Sequence, residues 1–209
     1  LWEDDEIYDD LLDIIGKKDI SIVLANVDSA TIVLAELNEK HPHLGLITSR
    51  KSLCNIFLDK LKTQKQCEKV GIKIVPLSNG EFPMMLKPRK GSASKGVCVV
   101  NDVTNLDYLL TQIDEKDYIK QNYIDGTEYT VDAYVSKNGQ FIGAIPRIRY
   151  YVTAGESTTA IIIHDTEISQ VTKEIIEKFE LKGPITLQFI RKNKELYFLE
   201  LNPRFGGGI

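Results

Sequence analysis

The chain has 209 residues, 43% hydrophobic and 27% charged, with 14 glycines and 7 prolines. That is the make-up of a globular protein of one large domain or two small ones, and it excludes collagen-like and low-complexity chains. No run approaches the roughly 18 apolar residues of a membrane helix, and 26 basic against 30 acidic residues (net charge -4) leave out the basic footprint of a dedicated nucleic-acid binder. Any phosphate the protein holds must be held by local features.

In chain order, Ile7, Leu11, Ile14 and Ile15 fall on one face of a helix whose other side is acidic. Ile20 to Leu24 reads as a strand, Asp28-Ser29 as the N-cap of a helix over 30–37, and Gly45 to Thr48 as a second strand. Leu53, Ile56, Phe57, Leu61 and Val70 predict two short helices between Ser49 and Val70, the second closed by Gly71. His41, His43 and His164 read as structural or solvated rather than metal-bound. Cys54, Cys67 and Cys98 are scattered among apolar residues without a C-x-x-C motif, so they read as reduced core thiols in a cytoplasmic setting.

After Pro76 the texture becomes short β-rich runs, at 83–87, 97–100, 118–124, 128–136, 141–151, 158–163, 185–191 and 196–201. Helices near 104–114 and 167–180 interrupt them, and Lys137-Asn138-Gly139-Gln140 signals a hairpin turn. This predicts a small αβ lobe over 1–76 and an antiparallel α+β lobe over 77–209. The chain opens on Leu1 and closes on Phe205-Gly206-Gly207-Gly208-Ile209, where nothing would stop a fold, so an ordered piece of a longer chain is expected.

Four stretches could carry chemistry. In the first, Lys87 ends a strand and Ser92, Ser94, Lys95 and Gly96 follow in a small-residue loop; such loops let backbone N–H groups approach phosphate oxygens. Gly91 and Gly96 have G-x-x-x-x-G spacing, but Val97-Cys98 stands where a P-loop needs Lys-Ser/Thr, and a flexible basic loop fits as well. In the second, alternation puts Ile185, Leu187, Phe189, Tyr197, Leu199 and Leu201 on one face of a hairpin and Gln188, Glu200 and Asn202 on the other. A three-residue loop at Lys194 pairs position 188 with 200, so three oxygen donors converge as Mg²⁺ prefers, unless this is simply a polar outer face. The third, around Gln121, Asn122, Ile124 and Glu128, offers a backbone edge to an adenine and a carboxylate to a ribose, or is an ordinary strand–turn–strand. The fourth, Arg147 and Arg149, aims two guanidiniums at one face by i, i+2 spacing, as phosphate anchors or surface charge.

Taken in order, strand lysine, Gly/Ser loop, strand leading to Glu, arginine strand and a closing Q-x(11)-E-x-N-P-R, the chain from about Asp59 to Gly208 resembles the ATP-grasp superfamily. It is most similar to synthetase domains of the carbamoyl-phosphate synthase large subunit and related carboxylate–amine ligases. The resemblance implies an ATP-grasp fold of mixed α+β and α/β character. A partial pre-ATP-grasp domain would occupy 1–58 and the ATP-grasp domain 59–209, incomplete at its C-terminus, with a flap-bearing part at 77–124 and a metal-binding part at 125–209.

It further implies that Lys60 and Lys87 reach nucleotide phosphates, that Ser92, Ser94 and Lys95 belong to a flap over them, and that Gln121, Asn122 and Ile124 form the adenine hinge. Glu128 would hold the ribose. Gln188, Glu200 and Asn202 would hold Mg²⁺, or Mn²⁺ in its place, and Arg204 and Arg147 would face the γ-phosphate or an acyl phosphate. The implied partners are ATP and small-molecule carboxylate and amine substrates, without nucleic acid or membrane and with self-association left open. A regulatory ATP-binding module or a kinase on the same fold are the alternatives.

Overall fold

The computed structural model describes residues 6–91, 94–153 and 156–206. Its elements follow the order α1 (Ile7–Lys17), α2 (Asp28–Lys40), α3 (Lys51–Phe57), α4 (Lys60–Lys69), β1 (Met84–Pro88), β2 (Cys98–Val100), α5 (Val103–Leu110), β3 (Tyr118–Asn122), β4 (Thr127–Val135), β5 (Phe141–Thr153), β6 (Glu156–Ile162), α6 (Thr166–Phe179), β7 (Gly183–Lys192) and β8 (Glu195–Asn202). The strands form two antiparallel sheets, β2-β1-β3 and β6-β5-β4-β7-β8.

The larger sheet buries one face. Val131, Ala133, Ile185, Leu187, Phe189 and Leu201 meet Ile168, Ile175, Ile176 and Phe179 of α6, together with Phe57, Cys67, Ile72 and Ile74. The apolar stripe of α6 has helical period and its Asp165 cap accepts from the Ile168 N–H, so sequence and packing agree on where this helix begins. A second cluster, Ile15, Ala30, Val33, Leu34, Leu37 and Leu46, joins α1 to α2. A third, Met84, Leu86 and Val100, lies under the small sheet.

Three local expectations change. The strands expected at 20–24 and 45–48 reduce to one isolated parallel bridge, Val23 with Leu46. Ile22 and Leu24 remain exposed, so no neighbouring strand rewards further extension there. Asp28 is the first residue of α2 rather than its cap; Val27 occupies the cap, where its apolar side chain can make no bond, and the Asp28 carboxylate pairs with Arg204.

The third change is in β8. Gln188 pairs with Glu200 as expected, but not through a three-residue loop: Lys192 pairs with Glu195 around a two-residue turn, so Phe189 faces Phe198 and Ile190 faces Tyr197, and a register shift between Phe189 and Gln188 brings Gln188 opposite Glu200. This irregularity resets the alternation. Phe198 enters the core beside Phe189, at 5.7 Å between ring centroids. Leu199 turns towards a cleft instead, and Tyr197 lies under Lys73.

Candidate functional site

The unburied face of the large sheet is built in rows, because directly paired residues share a face. One row reads Arg147, Thr130, Gln188, Glu200; the next reads Asp132, Thr186, Asn202. Apart from Asp132, these residues floor a cavity of about 750 Å³. Its walls come from the start of α2 (Asn26 to Ser29), from Lys60 and Lys62 of α4, and from Lys90, Gly91, Arg204 and Gly206. A smaller cavity of about 130 Å³ adjoins it, lined by Met85, Lys87, Ser94, Lys95, Glu128 and Leu199, and shares Lys60, Gly91, Arg149, Gln188 and Glu200 with the larger one.

The charge of this cleft opposes that of the whole chain. Lys60, Lys62, Lys90, Arg147, Arg149 and Arg204 line the larger cavity against only Asp28 and Glu200. A cleft lined mainly by one sign of charge concentrates anions whatever the overall balance. Lys87 is the most telling of the cations. Among the described residues it makes no hydrogen bond or salt bridge, and burial pushes its ammonium below the usual lysine range, helped by Lys60 and opposed by Glu200 and Glu128. A half-desolvated cation without a direct partner is set up to gain from an incoming anion.

Lys60 begins α4, where Asp59 caps the helix by accepting from the N–H groups of Leu61 and Lys62. Its Nζ donates to the Gly91 carbonyl at 3.1 Å and stands 3.7 Å from Glu200. Asp59 also accepts from Arg89, at 2.7 Å from Nη2 and 3.3 Å from Nε. One buried carboxylate therefore fastens the helix bearing Lys60 to the end of the strand bearing Lys87.

Glu128 reaches the smaller cavity with its Oε2 accepting from Arg149 Nη1 at 2.8 Å, and the same nitrogen donates to Gln188 Oε1 at 3.3 Å. Arg147 is 7% exposed. Its Nε donates to Asp132 at 2.8 Å, while its buried Nη1 has no hydrogen-bond partner among the described residues. Thr186 donates to the Arg204 carbonyl at 3.1 Å, and Arg204 Nε is hydrogen-bonded to Asp28 of the N-terminal lobe.

The structure thus brings Lys60, Lys87, Ser94, Lys95, Glu128, Gln188, Glu200, Asn202, Arg147 and Arg204 to one cleft. Ser92 lies outside the described residues. Gln121, Asn122 and Ile124 do not line either cavity. The Gln121 side chain is 2% exposed and donates to Gln64 Oε1 and the Val75 carbonyl, so it braces α4 against β3. Asp59, Asp132 and Lys62 escaped the sequence reading, which took Asp28 only for a helix cap. Arg149 had a signal in its spacing from Arg147, and the shared face bears that spacing out.

Gln188, Glu200 and Asn202 are adjacent on neighbouring strands and offer only oxygens for a metal, without a thiol or imidazole among the described lining residues. That donor set fits Mg²⁺ or Mn²⁺ and not Zn²⁺.

A family model described as an ATP-grasp domain matches residues 57–208. The chain belongs to the ATP-grasp family. A carbamoyl phosphate synthase large chain of Clostridium perfringens is 29% identical over 221 aligned positions, covering 94% of this chain and 21% of that one. A D-alanine--D-alanine ligase of Petrotoga mobilis is 27% identical over 140 positions, covering 58% of this chain and 46% of that one. The chain therefore spans less than half of the one relative and about a fifth of the other.

Among solved structures, the biotin carboxylase domain of Hydrogenobacter thermophilus 2-oxoglutarate carboxylase, captured with MgADP, ADP and bicarbonate, superposes with a TM-score of 0.76. It is 14% identical, over 96% of this chain and 51% of that one. An L-amino acid ligase of Bacillus licheniformis gives 0.73 at 17% identity, over 96% and 53%. At such identities these likenesses establish the ATP-grasp fold. No helix among the described residues is long and apolar enough to cross a membrane.

Proposed function

We propose that this chain is the catalytic unit of a Mg-ATP-dependent carboxylate–amine (or ammonia) ligase acting through an acyl phosphate, with chemistry like that of carbamoyl-phosphate synthases. Residues 59–209 would form its nucleotide-binding part. One observation carries the reading: Gln188 and Glu200 form the shared wall between a cavity holding the unpartnered Lys87 and a larger one holding Arg147 and Arg204. Phosphates on one side and a carboxylate on the other would meet at that wall.

Lys87 and Lys60 hold the nucleotide phosphates, and Glu128 takes a ribose hydroxyl through the oxygen that Arg149 leaves open. A metal ion at Gln188, Glu200 and Asn202 would offset phosphate charge and align the reacting groups. The substrate carboxylate oxygen attacks the γ-phosphorus, the bridging P–O bond breaks and ADP departs. The amine nitrogen then attacks the acyl carbon, the C–O bond to phosphate breaks, phosphate leaves and the nitrogen gives a proton to solvent. Arg147 and Arg204 steady the charge on the acyl phosphate, so catalysis rests on positioning and electrostatics rather than on a protein nucleophile. Ser94 and Lys95 beside the smaller cavity are placed to exclude water.

The test is release of ADP and phosphate that requires both a carboxylate and an amine, across a panel of each. Glu200→Gln should slow it by about 10²-fold, the scale for removing one electrostatic contact to the transition state. Nucleotide binding without carboxylate-dependent turnover would make the protein a regulatory module, and a stable phosphorylated product would make it a kinase.

A further inference from the structure

Two arginine–aspartate pairs of the chain fasten the fold, and the pair of Arg147 with Asp132 is built differently. Arg89 takes Asp59 through Nη2 and Nε, and Arg191 takes Asp165 through Nη1 and Nη2; neither arginine lines a cavity. Arg147, which does line the larger cavity, gives Asp132 a single nitrogen, Nε at 2.8 Å. Its buried Nη1 keeps no hydrogen-bond partner among the described residues. Arg191 also has an unpartnered nitrogen, Nε, but no cavity from which a partner could come.

Asp132 does not lie directly opposite Arg147. Thr130 does, while Asp132 faces Ile145. The ion pair therefore runs diagonally between β4 and β5 and draws the guanidinium out of its own row, towards the row of Asp132, Thr186 and Asn202 that leads to Arg204. Asp132 is itself wedged in place. Thr186 Oγ1 stands 3.4 Å from its Oδ1 and 3.1 Å from the Arg204 carbonyl, and a Cβ on Gly206 would come within 3.2 Å of the same Oδ1. Asp132 lines neither cavity, so its negative charge stands behind the guanidinium and does not meet an incoming anion. A flexible arginine with an unmade buried bond would turn that donor to water if nothing held it. Asp132 is what holds it.

We propose that Asp132 is a positioning residue: by taking Nε alone it fixes Arg147 at the cavity wall with a donor unspent, so that the anion formed in phosphoryl transfer meets a guanidinium already oriented and already stripped of water. The inference rests on the ligase reading. It adds a division of labour within one side chain, Nε for the protein and the terminal nitrogens for the reacting anion. Donors fixed before the reaction need no reorganisation as charge develops, which is where electrostatic catalysis gains most. Asp132 touches no substrate and acts only through Arg147. A neutral side chain at 132 would leave the arginine charged and beside the cavity, but free to swing between rows.

The experiment uses the whole protein with MgATP, hydroxylamine as the amine and a panel of carboxylates (bicarbonate, aliphatic acids and amino acids), and reads ADP release that depends on the carboxylate. Asp132→Asn should lower kcat by about a hundredfold, the scale of misplacing a reacting group by about an ångström, and leave the KM for ATP unchanged. Arg147→Lys separates the two roles. The lysine sets its single nitrogen against Asp132, which preserves the ion pair and the melting temperature but leaves no fork for the anion, so kcat should fall about as far as in Arg147→Ala. In the Arg147→Ala background Asp132→Asn should cost little more, because a residue that acts only through the arginine has nothing left to act on. A merely structural pair would give the opposite pattern: a lowered melting temperature in each variant and an active Arg147→Lys. Near-native kcat in Arg147→Lys or in Asp132→Asn, or losses that multiply in the double variant, overturns the positioning role and leaves the ligase reading standing. The Arg147 variants keep Asp132 and decide the question even if Asp132→Asn does not fold. Absence of carboxylate-dependent ADP release from the unaltered protein overturns the ligase reading itself, and the proposal with it.

Discussion

Asp59 offers the sharpest test of how the cleft is held together. It is 1% exposed, caps α4 through two backbone N–H groups, and receives a two-nitrogen contact from Arg89. Asp59→Ala removes both functions. Losing an N-cap costs about 1 kcal/mol, and losing a charge-assisted contact costs about 1.5–3 kcal/mol. The sum is about 2.5–4 kcal/mol, or a fall in melting temperature of roughly 5–15 °C for a chain of this size. Asp59→Asn keeps a good cap and loses the charge, so it should sit near the lower half of that range.

The pH dependence has a definite sign. Burial works against the Asp59 charge, but Arg89 and the two N–H groups outweigh it and hold the carboxyl below the usual carboxylate range. A depressed folded-state pKa gives stability that is present above the unfolded value of about 3.9 and is lost as pH falls through the folded one. Urea unfolding of the native protein, Asp59→Asn, Arg89→Met and the double variant, at neutral and acid pH, measures the coupling. It should be about 1–3 kcal/mol at neutral pH and shrink on acidification. A coupling near zero at neutral pH, or equal losses for the Ala and Asn variants, would refute the reasoning.

In the proposed function Lys87 holds phosphate only when charged, and burial lowers its pKa. ATP affinity should therefore decline on the alkaline side at a lower pH than an ordinary lysine would give, and Lys87→Arg should remove that decline; calorimetric titration across pH checks it. Gly183 opens β7 at φ +82°, and a Cβ there would stand 2.8 Å from the Ile47 carbonyl oxygen. Gly183→Ala should cost at least about 1–2 kcal/mol from the left-handed backbone alone, read as a lowered midpoint in a denaturant titration.

Most of the strands and helices were legible because the signals were local. Turn residues such as Asn138-Gly139 and the Asp102 cap marked boundaries, whereas Gln188 meets Glu200 through the register shift in β8 and not through the length of the Lys194 loop. The residues that met in the cleft were also largely legible, because alternation along β5, β7 and β8 decides which side chains share a face.

What the sequence determined by itself was therefore the antiparallel lobe, its order of motifs and its likeness to ATP-grasp ligases. Tertiary structure alone decided the rest. The shift in β8 that buries Phe198 and turns Leu199 to the cleft depends on what packs beneath it. Gln121 was lost to the core because Gln64 and Val75, far away in sequence, offer it partners. Asp28 meets Arg204 across 176 positions of chain. No periodicity or spacing encodes such contacts, since they exist only once two lobes have folded and closed on one cavity.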